Sequence, residues 1–453
     1  MAQRGTTRGL GNRLLQTIKE IVRPYYLRWI FFRISPARCP RAFIAWRELP
    51  TKPLHSLRQE FFSEESVKPD FVFLPMVDWH GPTQRSQQLA RGLSRLSHRC
   101  LYLNPHLGRE FAHPFPLSEH AVVTEIDERI VELHVHLPLE PVFHHRLLHP
   151  AEVARVAGTL ATALTKMESH EQVVVVSFPI WSEVARELKA RLGSTIVYDC
   201  HDLLEGFGNV SQDLVARECP AMAESDLVLF SADWLMKHHL SKQPQLAVKS
   251  VVIRNGVDPA DFPLAAAATA GNRPTIGYVG HLSGWFNAEW VKHAAMLRPE
   301  WQFVLVGPTA PDFPKSSLMN LDNVKFTGEV PYAAVPKWLE TFDVAVIPFR
   351  VEPLTLGTNP IKLYEYLATG IPVVSSILPE VERYRESVYF AASAGEFVSQ
   401  IEHALREAPD PAARLRRREV ARTETWDARC GALLDSLQTC SRPLGLWSGR
   451  VAH

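Results

Sequence analysis

From Asp70 onward, short apolar runs of β type alternate with stretches of helical periodicity. "FVFLPMV" is followed by "TQRSQQLARGLSRL" and then "CLYLN"; "QVVVVSF" is followed by "WSEVARELKARL" and then "TIVYD". "DLVLF", "ADWLMKHHL" and "SVVIRNGVD" close this series near Pro263. Continuous apolar strands separated by helices are the signature of parallel strands covered on both faces. "PLAAAATAGNRP" has small residues, no periodicity and Pro/Gly boundaries, which is a linker pattern. A second alternation then runs through "PTIGYVG", "EWVKHAAML", "QFVLVG", "NVKFTG", "AVPKWLETF", "DVAVIPF" and "SVYF". The pattern predicts an α/β protein with two Rossmann-like, doubly wound domains facing a cleft at their C-terminal strand edges. The expected divisions are a basic extension over 1–65, an N-terminal domain over 66–265, a C-terminal domain over 266–424, and a terminal helix and tail over 425–453.

"TNPIKLYEYLATGIPVVSS", Thr358 to Ser376, concentrates the candidate chemistry. Asn359 suits an N-cap and Pro360 the first helical position, while Gly370 and Pro372 stop the helix after about ten residues. The positive helix end at Thr358, Asn359, Pro360 and Ile361 is a ready anion site. Lys362 in the first turn opposes the helix dipole unless an anion lies nearby, and Glu365 stands a turn further on, where a carboxylate can accept two vicinal hydroxyls. A phosphate at the tip and a ribose a turn away would make a nucleoside diphosphate site. The alternative is an (i, i+3) Lys362–Glu365 pair on an ordinary helix surface.

Composition narrows the classes. The chain has 453 residues, more than one core accommodates, and is 46% hydrophobic and 22% charged. Lys+Arg 49 balances Asp+Glu 49, so no global field points to nucleic acid. The six cysteines form no Cys-x-x-Cys pair and read as reduced thiols of a cytoplasmic protein. No apolar run reaches the roughly 20 residues of a membrane span, and no signal peptide is visible. The first 50 residues carry Arg4, Arg8, Arg13, Lys19, Arg23, Arg28, Arg33, Arg38, Arg41 and Arg47 against Glu20 and Glu48. Their centre, "IVRPYYLRWIFFRI", interleaves rings with arginines, a pattern suited either to the headgroups of an inner leaflet or to an arm packed on its own protein. The histidines of "HVHL" and "HHRLLH" match no metal-ligand spacing and no Asp-x-Asp is present, so no metal is expected.

With "RNGVD" and "IGYVGHLSGWFN" upstream, "NPIKLYEYLATGIPVVSS" resembles the group 1, GT4-like retaining glycosyltransferases of the GT-B fold. The likeness runs from about Asp70 to Leu437 and is greatest to the bacterial cell-surface polysaccharide subgroup, such as the teichuronic acid glycosyltransferases. In that family a Glu-x7-Glu pair contacts the donor and its second Glu holds the ribose. Glu365 matches the second position, but Gly357 stands at the first. The family's Arg and Lys on the first C-domain loop are also missing: in "GHLSGWF", after Gly280, His281 occupies the Arg place. The resemblance therefore assigns the diphosphate to the helix tip and Lys362, with Arg254.

On the N-terminal side, Gly81, Gln84 and Arg85 fall where an acceptor loop enters a helix, a placement that ordinary loop polarity also explains. "VYDCHDLLEGF" ends a strand with Asp199, His201 and Asp202, and a family His in a comparable place faces the reacting sugar. A strand-end His can equally satisfy a loop. Asn255 suits either a hinge turn or a ligand contact. The expected activity is metal-independent, retaining transfer of a hexosyl group from a nucleoside diphosphate-sugar co-substrate to a glycan or polyprenyl-linked acceptor, with no further cofactor. His201, Lys362 and Glu365 are the candidate catalytic residues. A non-catalytic scaffold binding glycan or protein and a nucleotide-sugar epimerase are the alternatives.

Overall fold

The computed structural model describes residues 51–57, 68–107, 121–137, 143–265 and 273–440. The basic arm, with the membrane contact expected of it, and most of the linker lie outside the described residues.

The N-terminal domain holds strands β1 (Thr51–Pro53), β2 (Asp70–Leu74), β3 (Cys100–Leu103), β4 (Ala121–Asp127), β5 (Ile130–Val135), β6 (Gln172–Val176), β7 (Thr195–Cys200), β8 (Leu227–Phe230) and β9 (Ser250–Val252). They form one sheet in the order β1-β4-β5-β3-β2-β6-β7-β8-β9. Helices α1 (Arg85–Arg95), α2 (Pro150–Lys166), α3 (Ser182–Leu192), α4 (Gln212–Glu224) and α5 (Asp233–Lys242) cover it. From β5 to β9 every pairing is parallel. The continuous apolar run of β2 is explained by burial on both faces: Val72 and Leu74 join one core layer, Phe71 and Phe73 the other. The β4–β5 hairpin and β1 are antiparallel additions that the apolar pattern does not announce. In β5 the reason is that Glu132 and His134 are polar yet buried, which breaks the apolar run without exposing the strand.

The C-terminal sheet holds β10 (Thr275–Val279), β11 (Gln302–Val306), β12 (Val324–Gly328), β13 (Val344–Ile347), β14 (Val373–Ser376) and β15 (Val388–Ala391), ordered β12-β11-β10-β13-β14-β15. All its pairings are parallel. Its helices are α6 (Ala288–Leu297), α7 (Val335–Leu339), α8 (Pro353–Leu356), α9 (Ile361–Thr369), α10 (Pro379–Glu382), α11 (Ala394–Glu407) and α12 (Pro411–Thr423). Strand order reverses at β10, between β11 and β13, so the loops after β10 and β13 flank a crevice, and α9 begins beside it.

The last helix, α13 (Trp426–Cys440), returns to the N-terminal domain. Trp426, Cys430, Leu433 and Leu437 share a core layer with Phe71, Phe73, Leu89 and Leu93. Trp426 is fully buried there, and truncating such a ring costs about 3–5 kcal/mol. The domains are also joined beneath the cleft. Asn255 donates through its N–H to Asn359 Oδ1 at 2.9 Å and through Nδ2 to the Asn359 carbonyl at 2.6 Å. Arg254 Nε donates to Glu380 Oε2 at 2.7 Å, its Nη2 pairs with Asp233, and the Asp233 N–H donates to Glu380 Oε1 at 2.8 Å.

Candidate active site in the interdomain cleft

Helix α9 starts one residue later than its capping residues suggest. Pro360 takes the cap position in extended conformation and makes no side-chain cap bond. Asn359 does not cap the helix: its amide is committed to Asn255, to Tyr364 Oη at 3.0 Å and to Glu380 Oε2 at 3.2 Å. Tertiary partners, one of them in the other domain, therefore outcompete the local cap. The first N–H groups of α9, at Ile361 and Lys362, have no intrahelical partners, and the helix begins beside the crevice. Thr358, just before, gives its hydroxyl to the Leu354 carbonyl at 2.9 Å.

Lys362 is half-buried and rests on two rings, with Nζ 5.4 Å from the centre of Tyr278 and 5.1 Å from that of Phe349. Among the described residues it makes no ion pair within 4.0 Å. Burial lowers its pKa to about 8, against the attraction of Glu365 and Asp202. Gly280, at φ +143, makes the space: a Cβ there would lie 2.8 Å from Lys362 Cε. Glu365 is 6% exposed and accepts a hydrogen bond on Oε1 from Tyr332 Oη at 3.0 Å. That hydroxyl in turn accepts from Gln88 Nε2 of the other domain at 3.0 Å. Oε2 takes no hydrogen bond from the described residues. Burial raises the Glu365 pKa to about 7, although Tyr332 and Lys362 favour its charge. The pair is thus no surface salt bridge. It is an ammonium and a carboxylate held apart, each short of partners in a poorly hydrated place.

Asp202 reaches this group from the N-terminal domain. Burial raises its pKa, opposed first by His201, and Lys362 also lowers it, which locates all three along the same cleft. His201 is half-buried, and its Nδ1 lies 3.0 Å from the Asp199 carbonyl, leaving Nε2 3.9 Å from Asp202. His281 is exposed beside Trp285, with ring centres 5.9 Å apart.

Other sequence candidates have structural partners. Arg254 is held by Glu380 and Asp233 at the domain junction. Arg85 is buried, with Nε on Asp199 at 2.9 Å and Nη1 on Asn255 Oδ1 at 3.0 Å, while Nη2 is buried without a partner. Gly81 closes a turn onto the Asp78 carbonyl at 3.2 Å, and the Gln84 N–H donates to the Gln87 side chain at 2.6 Å. At Gly357 a Cβ would meet Leu235 and Trp234 of the other domain in ordinary van der Waals contact at 3.4 Å. Sequence reasoning missed Tyr332 and Gln88, which bridge the domains onto Glu365. It also missed the buried network in which Asn104 Nδ2 donates to Asp78 at 3.0 Å and to Glu132 at 2.8 Å, with His80 3.0 Å from Glu132. Spacing gives no signal for either, because the partners come from different strands and domains.

Residues 273–407, which contain Gly280, His281 and the whole of α9, match the family model described as glycosyl transferases group 1. That stretch of the chain is similar to a group 1 glycosyl transferase domain. The domain and its neighbour form a GT-B fold. The chain is 28% identical over 255 residues to the putative teichuronic acid biosynthesis glycosyltransferase TuaH of Bacillus subtilis (strain 168), a match covering 51% of this chain and 64% of that relative. In structure it is similar to sucrose-phosphate synthase from Thermosynechococcus elongatus, with TM-score 0.64 and 16% identity over 83% of this chain and 100% of that one. It is also similar to Anabaena HepE in complex with UDP and glucose, with TM-score 0.58 and 14% identity over 82% and 100% of the two chains. No helix of the described residues is long and apolar enough to cross a membrane.

Proposed function

We propose that the protein is a retaining glycosyltransferase that moves a hexosyl group from a nucleoside diphosphate-sugar to a glycan or polyprenyl-linked acceptor in cell-surface polysaccharide synthesis. The observation that carries this reading is the Lys362–Glu365 arrangement, one turn apart at a helix N-terminus: among the described residues, the ammonium lies on two rings with no ion pair and one carboxylate oxygen takes no hydrogen bond. The group 1 match over the same residues and the likeness to TuaH support it.

In this reading the ribose hydroxyls donate to Glu365. The diphosphate lies against the N–H groups after Pro360 and on Lys362, with Gly280 letting it approach the backbone; His281 lies at its edge. Negative charge grows on the leaving diphosphate as the glycosidic bond lengthens, so donors already in place stabilise the transition state more than the bound substrate. This makes a metal unnecessary for the diphosphate. His201 and Asp202 face the transferred sugar and the acceptor hydroxyl enters on the face the diphosphate leaves, which passes the proton to the departing phosphate and retains configuration. Arg85 and Asn255 position the two domains, and Arg254 locks them, instead of touching donor. The enzyme works at the cytoplasmic face of the membrane, where the basic arm meets the inner leaflet.

A thermal-shift panel of UDP-, GDP-, dTDP- and ADP-sugars tests this directly. One nucleotide class raises the melting temperature of the wild type, and Glu365→Ala removes that rise while leaving the unliganded melting temperature nearly unchanged. No shift with any nucleotide would instead favour a glycan- or protein-binding scaffold.

A further inference from the structure

Away from the cleft crevice, three elements of the N-terminal domain each turn one ligand-type side chain into the same part of the core. Cys200, the last residue of β7, is 2% exposed; Glu218 of α4 is 6% exposed; His239 of α5 is 3% exposed. Their ligand atoms all lie within 4.8 Å of one another. Two of them break the local apolar rule. On α4 the buried positions are Leu214, Glu218, Ala221 and Met222, and on α5 they are Leu235 and His239. A carboxylate and an imidazole therefore sit where the helical period calls for aliphatic side chains.

The groups satisfy one another only in part: Cys200 Sγ and His239 Nε2 share one hydrogen bond. Glu218 has one hydrogen bond, from Tyr198 Oη at 3.3 Å, and His239 Nδ1 is buried with no partner. Burial holds the Glu218 carboxyl up to about 8 and the His239 imidazole down to about 4, and raises the Cys200 thiol well above its usual range. In each case burial favours the neutral form. The Asp78–His80–Glu132 group differs: Asn104 bridges its two carboxylates and His80 bonds one of them, which closes that network internally.

Cys200 Sγ lies 3.7 Å from His239 Nε2. A tetrahedral zinc with ordinary Zn–S and Zn–N bonds separates these atoms by about 3.6 Å. We propose that Cys200, Glu218 and His239 bind one zinc ion through Sγ, a carboxylate oxygen and Nε2, with water as the fourth ligand. Binding releases the thiol and carboxyl protons, and the two anionic ligands neutralise the ion, so the complex adds no net charge to the core. Gln243, one turn after His239, presents a buried Oε1 that also has no partner. The two orphaned atoms do not bond to each other in the structure; the Nδ1–H of a metal-bound His239 would need an acceptor, and a side-chain rotation of Gln243 would supply one. Cys200 immediately precedes His201 and Asp202, so the ion would fix the strand end from which both reach the cleft. This site does not depend on the glycosyltransferase reading.

The test measures metal in the intact full-length chain. Expressed with zinc supplied and freed of loosely held ions, the wild type is expected to carry about one zinc per chain by mass spectrometry. Cobalt exchanged for zinc should give a thiolate-to-cobalt charge-transfer band in the near ultraviolet. Cys200→Ala should abolish the band, and it and His239→Ala should each lower the metal content to near zero. Should those variants fail to fold, the wild-type cobalt spectrum still decides the matter. Absence of the band in wild type, or zinc that persists undiminished in folded Cys200→Ala, would overturn the proposal; the latter would place the zinc on other histidines.

Discussion

Lys362 and Glu365 stand an (i, i+3) step apart and do not pair, because Lys362 is drawn onto Tyr278 and Phe349 while Glu365 is drawn to Tyr332. Their shifted equilibria set a pH window. Glu365 gains its anion only above about 7, and Lys362 keeps its cation only below about 8. With both charges needed for donor binding, kcat/KM should fall as pH drops through about 7 and again as it rises through about 8. Initial rates at low donor concentration check this, and a profile flat through neutrality would contradict it. Gly357 gives the second prediction at this scale. Restoring an acid with Gly357→Glu adds a Cβ in ordinary contact with Trp234 and Leu235 at 3.4 Å and a longer chain and a charge that must be fitted beside these apolar groups. The variant should lose about 1–3 kcal/mol of stability without gaining activity, as read by chemical denaturation and by kcat.

Helix α9 was largely legible in the sequence: its period, its stop at Gly370 and the strand after it are all present in the structure. Its start was not, because Asn359 has the chemistry of a cap and a tertiary partner instead. Gly370 stands at φ +76, where a Cβ would lie 2.8 Å from Leu264 Cδ1 and 2.9 Å from the Arg414 carbonyl. Gly370→Ala combines a left-handed backbone with a clash, and should cost at least about 1 kcal/mol. The loss should appear in the melting temperature, with donor affinity in the remaining folded protein unchanged, since Gly370 lies at the far end of the helix from Lys362. The β4–β5 hairpin escaped the reading for the opposite reason: its polar residues face inward, so its pattern imitates a loop.

Across the whole molecule, the domains meet through few but buried polar contacts. Arg254 is the centre of one set, between Asp233 of the first domain and Glu380 of the second. Glu380 is 1% exposed, so Arg254→Ala leaves a buried carboxylate without its cation. The loss should be about 3 kcal/mol in urea unfolding, at the low end for such a deletion because the Asp233 N–H and Asn359 Nδ2 still donate to Glu380. A loss within error would mean that the junction opens to water in solution. The α13 crossing adds an apolar tie through Trp426, so the domains should stay associated in the variant.

The sequence by itself determined the two alternating α/β halves, the helix that carries Lys362 and Glu365, and the presence of Gly357 and His281 where the family it resembles has charged residues. These are local matters of period, turn chemistry and residue type, which neighbours along the chain express. Only the tertiary structure decided that Asn359 ties domains instead of capping a helix, that Arg254 is spent on Glu380, that Tyr332 and Gln88 reach Glu365, and that Cys200, Glu218 and His239 converge. Each of those depends on which distant group fills a buried polar atom's need for a partner, and the spacing of residues along a chain carries no record of that choice.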